Sequence, residues 1–188
     1  GWINVARGWR HYFQKNVRFR PHGWKSKTVS QGQLRKGLYG YGGAAGLGYA
    51  GAQTSYEVYS NIFELYYRAN PKGGKVSVRV DGGKAVIIST RSDPAKDAVY
   101  RGTAEDEKQK HKFVVRARGG GIVHMYGATM EVSGPGIVYD CITMIGTRSN
   151  RLLNFNEEHI KNQVAHRRPD LMIFNFGGNE VIDKGSLK

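Results

Sequence analysis

"HKFVVRARGGGIVHMYGATMEV", residues 111–132, reads as a strand, a glycine turn and a second strand. The same grammar holds upstream. "NIFELYYRANPKGGKVSVRVDGGKAVIIST", residues 61–90, opens with a strand over 62–68, turns at Pro-Lys-Gly-Gly, and continues as a strand over 75–80 on which Val76, Val78 and Val80 alternate. Asp81-Gly82-Gly83 is a hairpin signal, because Asp and Gly tolerate the positive φ that such turns need. A strand over 84–89 follows, and "AQTSYEVYS", residues 52–60, reads as a strand before this run. "RSDPAKDAVYRGTAEDEKQK", residues 91–110, is polar and turn-rich, with Glu105-Asp106-Glu107 as an acidic cluster, and is expected to be an exposed excursion. Short strands separated by turn signals predict an antiparallel β-sandwich of jelly-roll type.

After Gly134-Pro135-Gly136 the pattern changes. "IVYDCITMIG", residues 137–146, is nearly all apolar and predicts a buried strand of the parallel kind. "FNEEHIKNQVAHRRP", residues 155–169, is a marked helix. Asn156 caps it, Phe155 and Ile160 occupy staple positions, Glu157 and Glu158 suit its first turn, and Pro169 stops it. Ile160 and Val164 face the sheet, while His159 and His166 are expected on the polar face. "DLMIFNF", residues 170–176, is then a second buried strand. Strand, helix and strand make a βαβ unit, so the fold class is α/β plus all-β: a sandwich joined to part of a parallel-sheet domain.

Composition narrows the classes. The chain has 188 residues, 39% of them hydrophobic and 23% charged, which permits a packed core. Its 26 glycines against 5 prolines argue for turns and short strands rather than a helical bundle. No apolar run approaches the roughly 20 residues of a membrane span. Cys141 is the single cysteine, which excludes a disulfide framework and a cysteine-rich zinc site. His11, His22, His111 and His124 show no metal-ligand spacing, and no dense Asp/Asn loop suits calcium, so no cofactor is expected.

The net charge is +14, and no acid precedes Glu57. Arg7, Arg10, Lys15, Arg18, Arg20, Lys25, Lys27, Arg35 and Lys36 fill that stretch. Three readings stay open: a nucleic-acid arm, attraction to an anionic polymer such as an acidic polysaccharide, and a solvated basic face. No helix-turn-helix, zinc or ribonucleoprotein signature accompanies the charge, which disfavours nucleic acid. "GLYGYGGAAGLGYAGAQ", residues 37–53, contains a letter match to the dinucleotide fingerprint at Gly46, Gly48 and Gly51. The strand that should precede it and the helix that should follow are both missing, so these glycines are read as permitting tight backbone packing.

The end of the second apolar run needs a reason. Phe176 is followed by Gly177-Gly178-Asn179-Glu180, and the first run ends at Gly146. In parallel sheets ligands sit beyond the carboxyl ends of strands, and a backbone N–H beside a side-chain amide is the donor pair that holds an oxyanion. "DLMIFNFGGNE" resembles the third conserved block of the SGNH (GDSL-type) serine hydrolases, Gly-x-Asn-Asp/Glu after a buried strand. "VYDCITMIGTRSNRLL" resembles the second. The resemblance implies that Gly146 donates its backbone N–H and Asn179 its amide to the oxyanion, with Gly177, Gly178 and Glu180 in support. "HGWKSKTVSQGQLRKGLYGYGG", "GGKVSVRVDGG" and "GGGIVHMYGATMEV" resemble a branch in which a carbohydrate-binding-module-like sandwich is inserted between the first two blocks. That branch includes peptidoglycan and polysaccharide O-acetylesterases.

The resemblance implies three segments: 1–36 belonging to or flanking the hydrolase domain, 37–135 as the sandwich, and 136–188 as a partial hydrolase domain. It implies an esterase acting on an acetylated, peptidoglycan-like or other polysaccharide through an acyl-serine intermediate, in an extracytoplasmic location. The family's Gly-Asp-Ser block and its Asp-x-x-His base have no counterpart here. The first would precede residue 1 and the second would follow residue 188, so the chain is expected to be an inactive internal piece that works with the rest of the same polypeptide. Two alternatives remain, a non-catalytic carbohydrate-binding module and a basic protein that binds nucleic acid or another polyanion. For the module, Trp24, Tyr39, Tyr41 and Tyr126 are the candidates to stack on sugar rings.

Overall fold

A computed structural model describes residues 1–6, 16–32, 36–142, 144 and 147–181. Among these residues eleven strands form two antiparallel sheets. They are β1 (Trp2–Asn4), β2 (Arg18–His22), β3 (Lys25–Thr28), β4 (Ala44–Gly48), β5 (Gln53–Tyr59), β6 (Ile62–Ala69), β7 (Lys75–Val80), β8 (Val86–Ser89), β9 (Lys96–Thr103), β10 (Lys110–Gly119) and β11 (Val123–Glu131). The six-stranded sheet runs β3-β4-β11-β6-β9, with β1 also paired to β11; the five-stranded sheet runs β2-β5-β10-β7-β8. Helix α1 (Glu157–Arg167) packs outside the six-stranded sheet through Ile160 and Val164. The architecture is a β-sandwich with a small α/β portion.

Local chemistry explains the hairpins. Asp81 and Gly82 both take positive φ, 48° and 76°, in a tight turn closed by the Gly83 N–H donating to Val80 O at 2.8 Å between β7 and β8. Between the sheets, alternate residues of each strand meet. Tyr56, Val58, Phe63, Leu65, Val76, Val78, Phe113, Val115 and Met125 form the principal core, with the Phe63 and Phe113 rings stacked at 4.8 Å.

A second core lies on the other side of the six-stranded sheet. Trp2, Tyr39, Tyr41, Tyr66 and Tyr126 pack there against Phe155, Ile160 and Val164. That sheet is therefore covered on both faces, which is why β11 is buried along almost its whole length. The β11–β6 register shifts between Met125 and Gly127. This bulge resets the alternation, so that Val123 and Met125 before it and Ala128 and Met130 after it all face the first core, while Tyr126 faces the second.

The structure departs from the sequence expectations in four places. Residues 91–110 are not merely an excursion, because β9 pairs with β6 along its full length, from Ile62 opposite Thr103 to Ala69 opposite Lys96. An edge strand with one wet face carries too few apolar residues to stand out. Second, β1, β2 and β3 lie within residues 1–36 yet pair with β11, β5 and β4, so strands before residue 37 belong to the two sheets.

The third and fourth differences concern the two apolar runs expected as buried parallel strands. Among the described residues neither 137–142 nor 171–176 forms a ladder. Ile137, Tyr139, Leu171, Ile173 and Phe174 are 99%, 77%, 75%, 81% and 68% exposed. A buried parallel strand needs a neighbour on each side, and no described strand lies beside either run. The helix between them forms as expected: Asn156 Oδ1 accepts from the backbone N–H of His159 at 2.9 Å, and Arg168 closes the other end in the left-handed conformation, φ 45°.

Candidate functional site

The two segments carrying the family-like motifs meet in space. Residues 178–181 form a turn closed by the Val181 N–H donating to Gly177 O at 3.1 Å. Gly177 has φ 120°, a region open to glycine and strained for other residues. From this turn the Asn179 amide donates to Thr147 O at 3.3 Å. Glu180 binds both sides: one carboxylate oxygen accepts from the Ser149 N–H at 2.5 Å and the other from the Gly177 N–H at 3.1 Å. The Ser149 N–H is the leading cause that holds the Glu180 carboxyl below the usual carboxylate range.

Asn179 is half-buried, and an amide nitrogen carries two protons, so one donor remains beyond the bond to Thr147. Gly146, its expected partner, lies outside the described residues, as do Arg7, Arg10, His11, Lys15 and Arg35. Gly178 is exposed and takes an ordinary φ, so its part in the turn needs no special conformation. The strip after Ser149 is tied to the sandwich, because Asn154 Nδ2 donates to Val29 O at 2.8 Å and the Asn156 N–H donates to Gly37 O at 3.0 Å.

Besides the 3.3 Å contact of His166 Nε2 with Glu64 Oε2 of β6, two ionic clamps fix α1 on the six-stranded sheet. Arg167 donates from Nε and Nη2 to Asp140 Oδ2 at 3.0 and 2.9 Å, and its Nη2 lies 2.7 Å from Glu131 Oε1. Burial opposes the Arg167 charge, but Asp140 and Glu131 more than offset it and raise its pKa. Asp140 Oδ1 also accepts the Trp2 N–H at 2.7 Å. One carboxylate thereby links β1, α1 and the start of the first apolar run.

The second clamp corrects the sequence expectation for His159. Its side chain is buried, not on the polar face. Nδ1 donates to Asp97 Oδ2 at 2.7 Å, and Nε2 lies 2.6 Å from Tyr39 O and 2.9 Å from Gln163 Nε2. Asp97 Oδ1 accepts from Tyr126 at 2.8 Å and from Arg68 at 3.1 Å. Burial alone would raise the Asp97 pKa, but the His159 hydrogen bond and charge outweigh it and bring the carboxyl to about 2. With both ring nitrogens held by partners inside the fold, the Asp97–His159 pair serves structure.

The four sugar-stacking candidates divide differently from expectation. Tyr39, Tyr41 and Tyr126 are 1%, 9% and 1% exposed and belong to the second core, so their faces are not open to a sugar ring. The Tyr126 ring lies against His159, with centroids 4.8 Å apart. Trp24 is half-buried and packs against the principal core. A Cβ on Gly48 would run into its indole and one on Gly46 into Val5, which accounts for these two glycines of the dinucleotide-like match as spacers for close packing. Sequence reasoning missed Asp97, Asp140 and Arg167. Their side-chain partners lie 27 to 62 residues away, and no local pattern announces them.

No protein-family model matches the chain, and no curated protein matches it. Solved structures do. A structure titled "Peptidoglycan O-acetylesterase in action, 5 min" aligns over 99% of this chain with a TM-score of 0.57 at 15% identity. The chain spans 49% of that protein, and likeness at this identity establishes a shared fold. A two-domain esterase active on acetylated mannans aligns over 64% of the chain and 35% of its own length, with a TM-score of 0.43 and 17% identity. CsCBM6-3 from Clostridium stercorarium, solved with cellobiose, aligns over 63% of the chain and 89% of its own length, with a TM-score of 0.40 and 13% identity.

Proposed function

We propose that this chain is part of a serine esterase of the SGNH type that removes acetyl groups from a cell-wall or other polysaccharide outside the cytoplasm. The observation that carries the reading is the junction of Thr147 and Ser149 with Asn179 and Glu180. Thirty or more residues and a helix separate these segments, yet one amide and one carboxylate join them. This is the arrangement that an oxyanion site built from Gly146 and Asn179 requires, because it brings the backbone just after Gly146 beside the amide. The exposed apolar runs support the same reading. Ile137 to Ile142 and Leu171 to Phe176 have the composition of buried strands and no sheet to enter among the described residues, and the remainder of the polypeptide would supply it.

In this reading a serine outside these 188 residues adds to the acetyl carbonyl carbon, and a histidine outside them takes its proton. The carbonyl oxygen becomes an oxyanion facing the Gly146 N–H and the Asn179 amide. Collapse expels the sugar oxygen, which leaves with the proton from the histidine. Water then repeats the sequence on the acyl-serine and releases acetate. Glu180 positions the turn that presents Asn179.

The test is to treat the whole polypeptide with a fluorophosphonate and to assay acetate release from an O-acetylated glycan. The expected result is a single phosphonylated serine outside residues 1–188 and loss of acetate release on labelling. Acetate release that survives complete labelling would overturn the serine mechanism.

A further inference from the structure

The outer face of the five-stranded sheet carries a concentration of cations that neither the fold nor the proposed chemistry uses. Strand alternation places Lys110, Lys112, Arg116 and Arg118 of β10 on this face, because His111, Phe113, Val115 and Ala117 point into the sandwich. Lys75 and Arg79 of β7 and Arg18 and Arg20 of β2 join them. The register sets Arg20, Ser55, Val114 and Arg79 in one row across four strands, and His22, Gln53, Arg116 and Ser77 in the next. Strands lie about 4.8 Å apart and side chains on one face repeat about every 6.8 Å, so the face is a lattice of positive charge.

Glu57 is the acid within this lattice, and it pairs with Arg18 at 3.5 Å and lies 4.0 Å from Lys112. Arg20, Lys75, Arg79, Arg116 and Arg118 form no ion pair among the described residues, and all five are exposed. Like charges on neighbouring strands repel and disfavour the sheet. The face is also shaped: Gln53, Ser77, Arg79, Lys112, Val114, Arg116 and Arg118 line a shallow groove of about 280 Å³. Amide and hydroxyl groups thus alternate with guanidinium groups, which suits a ligand bearing both hydroxyls and carboxylates.

We propose that this groove binds a linear acidic polysaccharide through its carboxylates. Sequence-tolerant binding of single-stranded nucleic acid relies on aromatic platforms, and this face offers one tyrosine, Tyr59, at its margin beneath Lys110. Among the described residues no helix projects from it to enter a duplex groove. The choice of a glycan over other polyanions rests on the proposed esterase reading, whereas the charge lattice does not.

The experiment titrates the chain with a de-esterified oligogalacturonide, its fully methyl-esterified form and single-stranded poly(dT), at low and moderate salt. The triple variant Arg79→Gln, Arg116→Gln, Arg118→Gln is compared with Lys25→Gln, Lys27→Gln, Lys96→Gln, which removes the same charge from the other sheet. Circular dichroism and thermal unfolding establish that each is folded. Binding of the carboxylated oligomer, weaker by about tenfold or more in the first variant and little changed in the second, is the expected result. Equal binding of the methyl ester, equal losses in both variants, or tighter binding of poly(dT) would overturn the proposal. Hydrolysis of a small acetyl ester by the whole polypeptide is expected to be unaffected by the groove variant. Loss of glycan binding with ester hydrolysis intact would implicate the groove alone, and absent ester hydrolysis would count against the esterase reading alone.

Discussion

His159 donates through Nδ1 to Asp97 Oδ2 at 2.7 Å, and this bond joins α1 to β9, an edge strand of the six-stranded sheet. The same carboxylate holds Tyr126, on the outer face of β11 at its bulge. Helix, edge strand and central strand therefore share one charged centre, and the helix carries the chain onward to the candidate site.

Asp97→Asn is expected to destabilise the protein by about 1–2 kcal/mol at neutral pH, a range already reduced for solvent screening at a partly exposed carboxylate. The folded pKa, about 2, lies below the ordinary value of 3.8. The contribution is therefore fully present above about pH 4 and lost as pH falls through 2. Urea unfolding of both proteins at pH 7, 4 and 2.5 measures it. A difference between the two that stays constant down to pH 2.5 would contradict the assignment.

His111 has the opposite sign. Its Nδ1 lies 2.6 Å from Asp81 Oδ2 and its Nε2 reaches Asp106 O, and the Asp81 hydrogen bond is the leading cause that raises its pKa above 6.5. Stability from this group is complete below pH 6.5 and fades as pH rises through the raised folded value. The melting-temperature gap between the native protein and His111→Gln should thus be widest near pH 6 and narrow toward pH 9. A gap that widens with pH would refute it.

Gly127 faces the Trp2 indole so closely that a Cβ would overlap the ring. Gly127→Ala is expected to cost about 1–3 kcal/mol through overpacking, with a changed tryptophan near-ultraviolet signal. Unchanged stability and an unchanged signal would show that Trp2 has room to move.

Glu180→Gln removes the carboxylate that accepts from Ser149 and Gly177. Its lowered pKa means that the turn is held above the ordinary Glu range and released as pH falls below it. Hydrogen exchange at the Ser149 and Gly177 amides should quicken several-fold in the variant, with little change at Val58. Identical exchange would remove Glu180 from its positioning role.

These relationships explain what the sequence revealed and what it concealed. The β7–β8 hairpin and the turn that carries the chain from β10 in one sheet to β11 in the other were legible because Asp81-Gly82 and Gly119-Gly120-Gly121 are local signals beside strong strands. Helix α1 was legible from Asn156, Ile160 and Val164. By contrast, β1 to β3 are three to five residues long and β2 and β3 are rich in cations, and β9 has one wet face, so none carries a period of its own. Tyr39, Tyr41 and Tyr126 looked available for sugar because a second core outside one sheet cannot be seen from strand alternation. The polar environment of His159 comes from Asp97 and Tyr39, 62 and 120 residues away. In the candidate site the Gly-Gly-Asn-Glu turn stood out in the sequence, while the bond from Glu180 to Ser149 did not.

The esterase reading stands or falls with Asn179. Acetate release from an O-acetylated glycan, followed at several substrate concentrations with the whole polypeptide and its Asn179→Ala variant, tests it most directly. The predicted result is a fall in kcat of about 100-fold or more with KM little changed, as expected when one oxyanion donor worth about 3 kcal/mol is lost. An unchanged kcat with a raised KM, or no acetate release by the unmodified polypeptide, would contradict it.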